Sequence, residues 1–560
     1  MKIKTFIIIV ELLQLFLPEF VSGNGDVPKL YYIRPIEVVC DYPFNDTTKW
    51  AITCRVWGLL KYYHPNVTAG NLDWDQVLID RFEKINEANT PEMVNIELMK
   101  MIRIAGEYEL LLDNTWNDSL NMNVNLCWLD HSFINDTIRK TLSEIASITI
   151  EQPSYYIRPG EEREYEAIPN EKDYDKDVIF QYEYRLLALF RYWNIVYYFF
   201  PYKYLMDQSW DVTLLEFIPQ FMNAFDLASY SKAVITLATR LNDGHASTSG
   251  IPPYSRSNDN NYRPITLIDS ATIVRTKPRG SLLERGDIIL NIDGKSILSI
   301  RDSLSILIPS SNLRDRDNVV NDWIYRSIIK GGLLSVIRNK KEINFRENRT
   351  SLPNIDFSNP YFKISSEIGY ANLSLLKSSD IPAMIDSLNN CRGIIYDLRS
   401  YPLYIRPWEL ISHLSSTQEY HYASSTLADL YHCGAFYKFD WYTKCPDELW
   451  QERKKYNGKI VVLIQESTIS YGETLSMMFR THGATLVGVP TAGANGNVTR
   501  FKLPGNIYVS YSGIGFYYSN GEQTQRTGII PDIEVYPTMD DIMAGRDEVL
   551  EAAISFLNSQ

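Results

Sequence analysis

The sequence predicts a multidomain α/β protein with duplicated N-terminal helical modules, a compact β-rich domain and a mostly parallel sheet crossed by helices. Three observations carry that prediction. A stretch of the N-terminal half recurs in one ungapped register at an offset of 136 residues. The run GSLLERGDIILNIDGKSI, inside residues 263–345, alternates strand and turn signals. From about Tyr361 onward, short apolar runs alternate with helical spacing, the pattern of strands joined by crossover helices. With 560 residues, 45% of them hydrophobic, the chain can bury several cores and is too apolar for a disordered one. A net charge of −13 sets nucleic acid aside as a partner, because phosphate binding needs a basic face.

The N-terminus, MKIKTFIIIVELLQLFLPEFVSGNG, places two lysines before an apolar run from Phe6 to Leu17, with small residues at Val21-Ser22-Gly23. That reads as a secretory signal peptide over 1–23, and export to the periplasm or the cell exterior. About a dozen apolar residues fall short of the roughly twenty that span a bilayer, and no later segment is longer, so no permanent membrane span is expected. Six cysteines (Cys40, Cys54, Cys127, Cys391, Cys433, Cys445) fit an oxidising compartment. Cys433 with Cys445, across an aromatic-rich loop, and Cys40 with Cys54 are candidate pairs, the connectivity being open. The chain has no C-x-x-C or H-E-x-x-H spacing, so no metal site is expected.

Arg55, Trp57, Tyr62, Pro65, Trp74, Asp75 and Leu78 recur as Arg191, Trp193, Tyr198, Pro201, Trp210, Asp211 and Leu214. Each copy reads as a helix ending near its proline, a loop, and a second helix opening at W-D. The first copy lies in 24–150 and the second in 178–250. Between them, 151–177 is rich in Pro, Tyr and acids and reads as a linker. Helical spacing over 230–241 ends at Asn242-Asp243-Gly244-His245, and a polar stretch, 247–262, follows.

In the 263–345 block, Leu283, Gly286-Asp287, Ile288-Ile289-Leu290 and an Asp293-Gly294 turn give strand, turn and strand, with a helix from about Ile300. This resembles a PDZ domain, a module that binds peptide ends by strand addition. In 355–560 the predicted strands are 393–400, 459–464 and 485–490, with helices over 407–415 and 471–482. Ser470 begins the last of these helices, beside backbone N–H groups free to hold a developing oxyanion. A strand-to-helix turn of this kind presents a serine nucleophile, although the G-x-S-x-G elbow is absent. The competing assignment for Ser470 is an ordinary N-cap.

Taken in order, W-N-x-x-Y-Y-F-F-P-Y, L-N-D-G-H-A, the PDZ signature, D-L-R, T-I-S-Y-G-E, V-G-x-P-T-A-G and G-I-I-P-D-I-E-V resemble the tail-specific (C-terminal processing) and tricorn-type serine peptidases. The resemblance covers about 350 residues, from Tyr184 to Tyr536, and implies a ClpP/crotonase-like catalytic core. It implies Ser470 as nucleophile. One branch of the family activates its serine with a lysine; Ala494 occupies that place here. The tricorn-like branch uses a histidine, matched by His245. An imidazole is a base largely neutral near pH 7, as a serine hydroxyl requires; the competing assignment for His245 is a helix C-terminal cap. For the third catalytic member the candidates are Glu522, the acid nearest the G-x-x-P-D turn, and Glu473, one helical turn after Ser470. Gln525 holds the position where the branch carries its glutamate. The oxyanion hole is assigned to the Tyr471 N–H, with Ser400 or Tyr401 from a turn in which Pro402 has no N–H to give.

The resemblance implies an exported serine endopeptidase that cleaves peptides or unfolded protein tails through an acyl-enzyme, without metal or organic cofactor. The alternative is a non-catalytic peptide- or glycan-binding protein that keeps the peptidase fold. A crotonase-type acyl-CoA enzyme shares only the sheet architecture.

Overall fold

The computed structural model describes residues 41–108, 121–148, 154–159, 166–249, 263–278, 280–348 and 358–559. The expected signal peptide, Cys40 and most of the 247–262 stretch lie outside these residues. No described helix is long and apolar enough to cross a membrane.

The sequence repeat becomes two helix pairs, Asp46–Tyr63 with Trp74–Ile79 and Tyr182–Phe199 with Trp210–Met222. Each pair is closed by its two tryptophans. Trp57 donates to the Trp74 carbonyl (3.1 Å) and Trp74 to that of Trp57 (3.0 Å). Trp193 and Trp210 do the same at 2.8 and 2.9 Å. The copies then exchange charges: Arg55 pairs with Asp211, and Arg191 with Asp75, both at 2.7 Å and buried. Asn194 donates to the Cys54 carbonyl (3.0 Å), in space left by Gly58, where a Cβ would stand 1.8 Å from the Asn194 amide. The repeat is therefore an internal two-fold pairing, each copy completing the other.

The region read as a linker is built into this pairing. Arg158–Pro159 pairs with Glu166–Ala167, and Glu171 is buried between Lys61 and Arg191, 2.7 Å from each. The cysteine expectations need correction. Cys54, Cys433 and Cys445 are free thiols, as is Cys391, while Cys127 is disulfide-bonded. Cys433 and Cys445 flank the strand Ala435–Lys444, ten extended residues or roughly 33 Å. A disulfide needs its Cα atoms within about 7 Å.

The 263–345 block is a sheet ordered Lys341–Arg346, Leu333–Arg338, Ile288–Ile292, Ala271–Val274, Ile265–Ile268, with helices Ile297–Ser305 and Leu313–Ile328 on it. Asp293 and Gly294 both have positive φ (49° and 77°), the geometry of a tight hairpin turn.

The last block has a six-stranded sheet whose spatial order follows the chain: Tyr361–Lys363, Ile368–Asn372, Gly393–Asp397, Lys459–Ile464, Thr485–Gly488, Ile533–Glu534. Only the first pairing is antiparallel. Alternation sorts the strand Lys459–Ile464 onto two cores. Val462 and Ile464 pack with Leu475 and Phe479 of the following helix, while Val461 and Leu463 pack with Val549, Ala553 and Leu557 of Glu548–Ser559. Burying each such side chain stabilises by about 1.5–3 kcal/mol.

Two features were not anticipated. A long hairpin, Glu419–Ala428 with Ala435–Lys444, lies in a four-stranded sheet with Gly515–Tyr518. The polar residues Ser247–Ser249 form an edge strand on Ile507–Ser512. That pairing ties the end of the second helical repeat to the last block.

Candidate active site

Ser470 stands between the strand Lys459–Ile464 and the helix Tyr471–Thr481, outside the carboxyl end of the sheet. Its backbone is at φ 56°, ψ −121°, a conformation costing a non-glycine residue about 1–3 kcal/mol. Neighbours hold it there. Its N–H donates to the Ala494 carbonyl (2.9 Å) and toward Glu473 Oε2 (3.2 Å), and its carbonyl accepts from Glu473 and Thr474.

Glu473 is fully buried and binds two turns together. Its carboxylate accepts from Thr491 Oγ1, the Gly493 N–H (2.9 Å), the Ala494 N–H (3.0 Å) and Ser470. Burial pushes it up to about 7, against four hydrogen bonds that favour the charged form. Its place is structural support for the Ser470 turn. Glu522 is exposed in the turn after Tyr518. Gln525, not Glu522, reaches the histidine network.

That network starts at the edge strand. The register Ser510↔Ser247 and Val509↔Thr248, continued by two residues, sets Ser512 opposite His245. His245 Nδ1 lies 2.9 Å from Ser512 Oγ. Ser512 donates its hydroxyl (2.8 Å) and its N–H (2.7 Å) to the buried Asp243 carboxylate, which also accepts from Gln525 Nε2 (3.1 Å). Ser512 has one hydroxyl hydrogen, and Asp243 takes it. Nδ1 must then be the donor to Ser512, which leaves the lone pair on Nε2, the tautomer of a general base. Asp243, Ser512 and Gln525 were not among the expected site residues; the sequence signals were the proximity of Asp243 to His245 and the place of Gln525 where the resemblance puts a glutamate.

Ser470 and His245 converge on Ala494. Its carbonyl holds the Ser470 N–H, and its Cβ would lie 2.9 Å from a Cβ on Gly244, the residue before His245. The side chain that would be lysine in the other branch faces glycine here, so the packing suits alanine. The β-rich block braces the same spot: Ser311 Oγ accepts the Gly244 N–H (2.7 Å), and Asn312 donates to the Ala492 carbonyl (2.8 Å).

Asp397 and Arg399 form an ion pair (2.6 Å), and Arg399 also pairs with Asp547 (2.8 Å). Burial alone would raise Asp397, but the Arg399 guanidinium and the Tyr370 hydroxyl hold its carboxyl below the usual range. Both charges serve the sheet end. Beyond them the turn bends over Ser470. The Arg399 carbonyl accepts from Gln465 and Ser467, Ser400 is half-buried, and burial raises the Tyr401 phenol above its ordinary range.

Residues 410–535, which include Ser470, Glu473, Ser512 and Gln525, match the model of Peptidase family S41. No curated protein matches the chain. Among solved structures, a candidate peptidase from Parabacteroides merdae ATCC 43184 is similar, at 16% identity, TM-score 0.43, over 67% of this chain and 96% of that one. Mature CPAF complexed with lactacystin is similar at 13% identity, TM-score 0.49, over 68% and 99%. The photosystem II D1 C-terminal processing protease is similar at 14% identity, TM-score 0.36, over 65% and 98%. Over residues 410–535 the chain is similar to peptidase family S41, a likeness that supports a serine-type peptidase.

Proposed function

We propose that the protein is an exported serine endopeptidase that cleaves peptides or unfolded protein tails, with Ser470 as nucleophile and His245 as general base. Ser470 Oγ bonds the scissile carbonyl carbon while its proton passes to His245 Nε2. The carbonyl π pair moves onto oxygen, where the Tyr471 N–H receives it. Collapse of that intermediate breaks the C–N bond, and the leaving amine takes the proton from His245. Water then repeats the sequence in reverse roles and frees Ser470. Asp243, acting through Ser512, favours the imidazolium that forms between these transfers. The PDZ-like block, joined to the His245 loop by Ser311 and to the Ala492 turn by Asn312, presents the substrate chain to a ClpP/crotonase-like core.

The observation that carries this reading is the strained Ser470 at a helix N-terminus, in a chain whose His245 is fixed as an Nε2 base. Purified protein should degrade dye-labelled denatured casein, and Ser470→Ala should lose on the order of a million-fold in rate. Casein turnover that survives Ser470→Ala would falsify the assignment.

One observation favours a second reading, capture without cleavage: the turn that would complete the oxyanion hole, Ser400-Tyr401-Pro402, carries a proline with no N–H to give. Calorimetric binding of peptide with no turnover, unchanged in Ser470→Ala, would support it.

A further inference from the structure

Two residues of the 263–345 block sit where the halves of the site join. Ser311 and Asn312 precede the helix Leu313–Ile328, and Asn312 is its N-cap, with Oδ1 accepting the Asp315 N–H (2.9 Å). The amide of the same side chain has two hydrogens, and they go to two turns of the last block. One is donated to the Ala492 carbonyl (2.8 Å), the other to the Arg526 carbonyl (3.1 Å). Each turn carries one half of the site. In the first, the Ala492 N–H donates to the Thr468 carbonyl (3.0 Å) and the Ala494 carbonyl accepts the Ser470 N–H (2.9 Å). In the second, Gln525, next to Arg526, donates to Asp243, which anchors His245 through Ser512. The turns also touch directly. The Arg526 N–H donates to the Gly493 carbonyl (2.8 Å), and a Cβ on Gly493 would stand 2.9 Å from the Arg526 carbonyl carbon. Ser311 adds the histidine loop: its Oγ accepts the Gly244 N–H (2.7 Å), while Arg526 Nε donates back to the Ser311 carbonyl (3.1 Å). Two consecutive residues thus hold the Ser470 turn, the Gln525 turn and the His245 loop against one another.

We propose that Asn312 is a positioning residue: its amide, shared between the Ala492 and Arg526 carbonyls, sets the alignment of Ser470 with His245. The inference rests on the peptidase reading and deepens it, giving the 263–345 block a part in the proton transfer besides any part in presenting substrate. Asparagine suits both duties, because one side chain supplies an acceptor for the cap and two donors for the bridge. Serine and aspartate can keep the cap and have no NH₂. Without the bridge two carbonyl oxygens lose their shared donor and the turns that carry the serine and the histidine network are free to shift. Transfer from a serine hydroxyl to an imidazole tolerates little such movement.

Asn312→Ser keeps a good N-cap and removes the bridge; Asn312→Asp keeps the cap and the size of the side chain but turns an oxygen toward two carbonyls. Arg314→Ala is the comparison, since Arg314 donates from the same helix to the Thr527 carbonyl (3.3 Å), outside the bridge. The variants are compared with wild type by the rate at which a fluorophosphonate labels Ser470, a small probe that needs no presentation of a peptide. Steady-state kinetics on dye-labelled casein accompany it, with the unfolding midpoint as the control for folding. The bridge predicts labelling and kcat lower by about a hundred-fold in both Asn312 variants with KM within about threefold, and Arg314→Ala within about threefold of wild type throughout. Labelling at the wild-type rate in either folded Asn312 variant, or an equal loss in Arg314→Ala, would overturn the proposal and leave Asn312 as a helix cap. A wild type silent in both assays would instead sink the peptidase reading itself, so the two failures are separable.

Discussion

Asp243 and Ser512 are joined twice: the Ser512 hydroxyl and N–H both donate to one buried carboxylate, at 2.8 and 2.7 Å. This double bond of contact commits the only hydroxyl hydrogen and so dictates which imidazole nitrogen of His245 carries the proton. Asp243→Asn puts an amide where two acceptor oxygens are needed. It should lower kcat/KM by between about a hundred- and ten-thousand-fold, the range known for a carboxylate that sets a histidine tautomer. Ser512→Ala should act in the same direction, and Ser512→Thr, which keeps the hydroxyl, should recover most of the rate. Steady-state kinetics on casein decide this; equal rates in Ser512→Ala and Ser512→Thr would remove the hydroxyl from the account.

Glu473 braces the serine turn with acceptors only. Glu473→Gln turns one of its oxygens into an NH₂ that faces N–H donors, so at least one buried group loses its partner, at a cost of about 1–3 kcal/mol. The wild type should also carry a pH signature. Its folded pKa, about 7, lies above the usual carboxylate value. Stability is therefore fully present below about pH 4.5 and declines until about pH 7, since the unfolded state ionises first. Denaturant unfolding at several pH values should show that decline in wild type and lack it in Glu473→Gln.

The exchanged pairs of the helical repeats should behave as buried ion pairs. Arg55→Met strands Asp211 without its partner and should destabilise by about 3–5 kcal/mol, whereas Arg55→Met with Asp211→Leu should sit close to wild type. A double-mutant cycle by denaturant unfolding measures the coupling, and additive losses would contradict the pairing.

Lys203 is buried with its ammonium on the Asn123 and Tyr197 carbonyls and over the Tyr197 ring at 4.2 Å. Burial lowers it to about 7. Between about pH 7 and 10.5 the unfolded chain holds a proton that the folded one lacks. Stability should then rise with pH across that window, by at most about 1.4 kcal/mol per unit, and fall away as pH drops to 7. Lys203→Met should flatten that slope in unfolding curves.

Much of this was legible in the chain. The strand Lys459–Ile464 emerges with the expected bounds because a fully buried run between polar turns admits few readings, and the helix after Ser470 follows from it. The repeat was visible in its tryptophans and its W-D pairs. What those aspartates do was not, because each one pairs with the arginine of the other copy, 116 or 156 residues away. Ser512 was hidden for a similar reason. Serines are frequent, and only the strand register that sets it opposite His245, 267 positions distant, gives this one a role. The long hairpin was read as a loop because its aromatic residues mask the alternation, and the supposed staple failed with it.

The central claim is that Ser470 is a nucleophile activated by His245, and intact-mass analysis after treatment with a fluorophosphonate tests it most directly. The account predicts a single adduct on wild type, mapped to the peptide containing Ser470, absent in Ser470→Ala and slowed by orders of magnitude in His245→Ala. An adduct that forms at the wild-type rate in His245→Ala, or that maps to another serine while casein is still cleaved, would contradict it.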